Sequence, residues 1–107
     1  MTTLDINTDT LNGLPRWLAV MDGGVTITLS TPATLSGVKV EKLTLRTPTV
    51  RDLRTCQKMH PNDLLAVDAM LFSSLASITE TELLSLSLKD YERVKSGYFR
   101  MVEEDEL

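Results

Sequence analysis

The sequence has little of what catalysis and metal binding are built from. Of its 107 residues, one is cysteine (Cys56) and one is histidine (His60). A lone cysteine excludes a disulfide within the chain and a cysteine-built zinc cage, and it suits a reducing compartment. Cys56 and His60 stand four apart, a helical spacing. Two donors make a poor site, however, and Pro61 distorts that turn. One histidine beside a proline is also weak material for a Cys-His or Ser-His-Asp arrangement. Gly23 and Gly24 fit neither GxGxxG nor GxxxxGK[ST], so they mark a turn rather than a phosphate cradle. The acidic pairs, Glu80 with Glu82 and Glu103 with Glu104, fall at helix starts and near the chain end, where the helix dipole or solubility accounts for them. The expectation is a protein that is not an enzyme and takes no cofactor or metal.

Other scarcities narrow the partners. Only 5% of residues are aromatic, so the core must be mostly aliphatic. The most apolar stretch, residues 64–78, is interrupted by Asp68 and three serines, and is too short and too polar to span a bilayer. Residues 1–10 carry neither the basic nor the apolar region of a signal peptide. The net charge is −4, whereas phosphate binding needs a basic surplus. Neither membrane nor nucleic acid is expected as a partner. The charge is also uneven. Residues 39–58 hold six basic side chains against two acidic ones, and residues 79–107 hold four basic against eight acidic. Opposed charges on one chain favour protein contacts, including self-association.

What is present reads as one α+β domain over residues 15–102, between a flexible arm at 1–14 and an acidic tail at 103–107. Residues 17–21 are apolar, and Val25, Ile27 and Leu29 alternate with Thr26, Thr28 and Ser30, the period of a strand. Asp22-Gly23-Gly24 between them is a hairpin signal. Val38, Val40, Leu43 and Leu45 form a further strand. Their parity changes, and a one-residue bulge near Glu41 and Lys42 would keep all four on one face. A loop at 31–37, with Pro32 and Gly37, joins these strands. The expected strands thus fill residues 16–46 as a small antiparallel hairpin or meander.

Three to four helices are expected over 50–102. Pro48 ends the strand region and sets the corner, and Thr49 with Asp52 forms a capping box for a helix over 50–59. Asn62 would cap a helix over 63–77. Thr79 with Glu82 caps a short turn reaching Leu86, and Ser87 with Asp90 opens the last helix. The 63–77 helix is apolar over roughly 200°, about twice what a surface helix needs. It is either packed on two sides within its own domain or offers a face to a partner. Asp68 lies inside this arc and needs a partner or a wet edge, and Arg51 or Arg54 is the candidate partner. The last helix lines Leu88, Tyr91, Val94, Tyr98, Phe99, Met101 and Val102 along one side. Leu71, Phe72 and Leu75 of the long helix, with Tyr91, Tyr98 and Phe99 of the last, are the candidate partner-binding residues. Arg46, Pro48, Thr49, Asp52, Asp68 and Asp90 are the candidate architectural ones.

Residues 25–99, about 70% of the chain, resemble the tail assembly chaperones of Mu-like and P2-like tailed phages. Three segments carry the resemblance: Thr26-Ile27-Thr28-Leu29-Ser30-Thr31-Pro32 with Gly37 after it; Leu43-Thr44-Leu45-Arg46-Thr47-Pro48-Thr49-Val50-Arg51-Asp52-Leu53; and Leu83-Leu84-Ser85-Leu86-Ser87-Leu88-Lys89-Asp90-Tyr91 ahead of Phe99. Relatives often have a glycine near the end of the long helix, where this chain reads Leu75-Ala76-Ser77-Ile78. The resemblance implies a protein of the host bacterial cytoplasm, absent from the mature virion. It would bind the tape-measure protein, keep it soluble and help tail tube subunits assemble around it. The rival readings are a structural tail component retained in the particle and a small regulator with a DNA-binding helix-turn-helix at 50–77. Scarce basic residues on the second helix argue against the regulator.

Overall fold

The computed structural model describes residues 14–103. Three strands, β1 (Leu18–Met21), β2 (Gly24–Leu35) and β3 (Val38–Arg46), make an antiparallel sheet in the order β1-β2-β3. Four helices follow: α1 (Val50–Met59), α2 (Leu64–Ala76), α3 (Glu80–Leu84) and α4 (Leu88–Val102). This is the expected α+β order of a meander and then helices. The arm expected at 1–14 lies outside the described residues except for Leu14, which packs against the core. The acidic tail lies outside them beyond Glu103.

Alternation sorts the sheet into two faces. Val25, Ile27, Leu43 and Leu45 are buried on one face, with Val25 opposite Leu45 and Ile27 opposite Leu43. The other face carries Thr26 and Thr44, whose hydroxyls lie 3.3 Å apart. Helix α4 crosses the buried face over β2, and Gly97 lets it come close. A Cβ at that position would stand 2.8 Å from Cδ1 of Ile27.

The parity change in β3 has a different origin from the expected one-residue bulge. Thr28 pairs with Lys42 and Ala33 with Val40, so residues 29–32 of β2 stand opposite Glu41 alone. The extra length is in β2. Pro32 sits in this break, where its missing N–H leaves no gap in a ladder. Beyond the break, Val40 is half-buried and Val38 is 61% exposed. The four apolar residues of β3 therefore do not share a core face. β2 also continues through most of the expected loop, and the link to β3 shrinks to Ser36-Gly37. Both residues have positive φ (53° and 78°), as the primed hairpin turns require.

Each helix opens on a side-chain cap. At α1, Thr49 accepts from the Asp52 N–H and the Asp52 carboxylate accepts from the Thr49 N–H, a complete capping box. At α2 the cap is Asp63, not Asn62. Its carboxylate takes the Ala66 N–H at 3.1 Å, and a charged acceptor suits the helix dipole better than an amide. Thr79 and Glu82 make a second capping box at α3, which ends at Leu84, short of Leu86. Helix α2 is the centre of the domain, in contact with α1, α3, α4 and β3. Its wide apolar arc is largely covered from within: Val67, Leu71, Phe72 and Leu75 are all buried. It ends on Ser77 at φ 58°, a left-handed residue that glycine adopts without strain. This is the region where the resembling family often has glycine.

Candidate functional site

The residues expected to form one partner-binding stripe are divided by the fold. Leu71, Phe72 and Leu75 belong to the core. The rings of Tyr91 and Tyr98 lean on Phe72 at 5.9 and 5.1 Å between centroids, and both tyrosines are half-buried. Phe99 turns outward, 42% exposed, with its ring 5.4 Å from that of Tyr98.

The architectural residues hold the elements that frame any site. Arg46 at the end of β3 reaches Asp52 with both guanidinium nitrogens, at 2.8 and 2.9 Å. Strand, Pro48 corner and α1 are thereby tied through one carboxylate. The Arg46 hydrogen bonds, with those from Thr49, hold the Asp52 carboxyl well below the usual carboxylate range. Asp90 does not complete a capping box. Ser87 takes the Asp90 N–H at 3.2 Å, but the Asp90 carboxylate turns away to the break in β2. There it accepts the N–H of Ser30 at 2.6 Å and that of Thr31 at 3.5 Å. Burial works to raise its pKa, yet the hydrogen bonds from Ser30, Thr31 and Ser87 outweigh this and leave it lowered. Arg93, one turn further along α4, donates to the Thr28 carbonyl at 2.9 Å and stacks over Trp17 at 5.1 Å. Together they satisfy backbone groups of β2 at and beside the break. The spacing Ser-x-x-Asp signals a cap, and nothing local distinguishes a cap from this long-range role. Arg93 and Gly97 carried no signal in the sequence.

Asp68 is half-buried on α2. Its charged neighbour is Lys95 on α4, not Arg51 or Arg54. Burial raises its pKa and Lys95 only partly opposes this.

The feature that sequence patterning missed is an open apolar groove of about 390 Å³ where α2, α3 and α4 meet. Its walls are Leu65, Leu84, Leu88 and Tyr91, over a floor of Ala69 and Leu83. Leu65, Leu84 and Leu88 are 75, 68 and 74% exposed, and Leu64 beside them is 80% exposed. Each lies at a helix end: the first turn of α2, the last residue of α3, the first of α4. There side chains stay uncovered that helical patterning assigns to the core. Among the described residues, no group of three or more His, Cys, Asp or Glu side chains is placed to hold a metal. No described helix is long and apolar enough to cross a membrane. Cys56 is buried, and burial pushes its thiol pKa up, away from the reactive thiolate.

The groove offers mainly apolar contact area. The family model described as phage tail assembly chaperone proteins, E, or 41 or 14, matches residues 26–103. That span runs from the third residue of β2 to just past the end of α4, and the chain belongs to this family, with a role in tail assembly. No curated protein and no solved structure matches the chain.

Proposed function

We propose that this chain holds helical segments of the tape-measure protein before and during tail tube assembly. It keeps that protein soluble in the host bacterial cytoplasm and is left out of the finished virion. Family membership supplies the tail-assembly role. The observation that carries the finer reading is the cluster of exposed leucines around the α2–α3–α4 groove. Leucines exposed to this degree in one patch are a liability unless something covers them. An amphipathic helix laid into the groove with its own apolar stripe inward would cover them. Such contact is non-directional, so one groove accepts many sequence-divergent helices along a long polypeptide. Tyr91 is the one earlier candidate that lines this groove. The contact site therefore moves from the middle of the long helix to its first turn and the α3–α4 junction. Further copies of this chain and tail tube subunits are the other contacts of this reading, with Arg51, Arg54 and Lys58 exposed along one flank of α1.

Co-expression with the tape-measure protein tests this. The native chain should raise the soluble yield of that protein and copurify with it. A Leu84→Glu, Leu88→Glu variant should keep its melting temperature, because both side chains are exposed, and should lose copurification. Equal solubility with and without the chain refutes the reading. Recovery of the chain in purified virions would favour the retained structural component instead.

A further inference from the structure

Resting on that reading of the groove, we propose that the helix it takes carries one basic residue within its apolar stripe, placed to meet Asp68. Asp68 stands one helical turn beyond Leu65 on α2, outside the groove lining but on the side of Tyr91 and Lys95 of α4, so a helix that continues from the groove over that side of α2 meets this carboxylate. Tyr91, a groove wall, and Tyr98 both sense its negative charge. No hydrogen bond reaches the Asp68 carboxylate from any described residue, and Lys95 acts on it through charge alone.

That arrangement is tolerable only while the carboxylate keeps its contact with water. A purely apolar helix laid across α2 would remove that water and leave a charge with no hydrogen bond, a costly outcome. A lysine or arginine on the incoming helix replaces the lost water with a charge-assisted hydrogen bond. An acidic residue at the same place repels. Asp68 thus selects among helices that the leucines alone accept alike, and it fixes the register in which they lie.

The experiment uses three synthetic amphipathic helices of about 18 residues with the same leucine stripe, differing at one central stripe position: lysine, glutamine or glutamate. Dissociation constants are measured at low salt against the native chain, Asp68→Asn and Asp68→Lys. The lysine peptide should bind the native chain about tenfold tighter than the glutamate peptide. Asp68→Asn should erase that preference while still binding all three, and Asp68→Lys should reverse it. Thermal melts establish that both variants are folded. If the three peptides bind the native chain alike, or the preference survives in Asp68→Asn, the proposal is wrong while the groove reading stands. If none binds, both are wrong.

Discussion

Replacing Asp90 tests whether the break in β2 is stabilised from α4. Its carboxylate is 1% exposed and takes two backbone donors, one close at 2.6 Å and one long at 3.5 Å. A hydrogen bond to a charged group contributes about 1.5–3 kcal/mol net. Counting the short one in full and the long one as a fraction, Asp90→Ala should cost about 3 kcal/mol, including the orphaned Ser30 N–H. For a domain of this size that is a large part of the usual total of about 5–15 kcal/mol. It corresponds to a fall in melting temperature of about 12–20 °C. Asp90→Asn keeps an acceptor for Ser30 but turns a donor toward Thr31, so it should cost less, about 1–2 kcal/mol. The pH dependence has a definite sign. The folded-state pKa is lowered, so the contribution is complete above the unfolded value near 4 and is lost as pH falls through the folded value. The gap between native chain and Asp90→Asn should therefore hold from pH 8 to 5 and close below about pH 4. Urea titrations give these differences, and amide exchange at Ser30 gives a local readout. An Asp90→Ala chain within about 1 kcal/mol of native, with Ser30 still protected, would refute the reasoning.

Asp52→Ala removes the α1 capping box and the anchor of Arg46. The cap contributes about 1 kcal/mol and the exposed ion pair adds little. Urea titration should show a loss near 1 kcal/mol, fading below about pH 4 because the Asp52 pKa is lowered, with copurification unchanged in the folded fraction. Ser77→Gly should stabilise the domain by about 0.5–1 kcal/mol, since glycine takes the left-handed C-cap without strain; a lower denaturation midpoint would contradict this. Phe72→Ala should cost about 3–5 kcal/mol by emptying a core site, and Phe99→Ala less than about 1 kcal/mol. Similar losses from the two would show that the division of the aromatic stripe is wrong.

The sheet, the helix order and three of the four caps were legible because each rests on neighbours in sequence. Strand alternation at 25–29, the Asp22-Gly23 turn and the Thr-x-x-acid pairs at 49 and 79 need nothing distant to be recognised. The α2 cap was misread by one residue because Asn62 and Asp63 are both good caps, and only the chain path after Pro61 chooses between them. The sequence makes Asp90 look like half of a capping box because its real partners, Ser30 and Thr31, lie 60 and 59 positions away. The excess in β2 was placed in β3 because alternation shows that a register shifts without showing which strand holds the extra residues. The candidate site was the least legible part. Helical patterning counts apolar side chains around an axis but does not say which end of the helix is covered. Leu71 and Leu75 on one hand, and Leu64 and Leu65 on the other, look alike in sequence and have opposite fates in the fold.

Those opposite fates bear on how a chain that holds helices, as proposed, would also release them. Fully burying a leucine is favourable by about 1.5–3 kcal/mol. Leu64, Leu65, Leu84 and Leu88 retain most of that gain, being 68–80% exposed. Together they offer an occupant about 5–9 kcal/mol before the cost of association. That cost alone is about 4 kcal/mol or more, which leaves about 5 kcal/mol at most, so a single groove of the proposed kind holds one helix weakly, with a dissociation constant of about 0.2 mM at best. Weak single sites suit the task. On the proposed function, a long tape-measure chain occupied at many positions would stay shielded from aggregation through the number of its contacts, while each contact opens quickly. On the same reading, advancing tube subunits would displace one weakly held domain at a time rather than a single tight complex. The buried leucines of α2 help give the domain its stability, and the uncovered leucines at the helix ends would, on the proposed function, give it a contact it can let go.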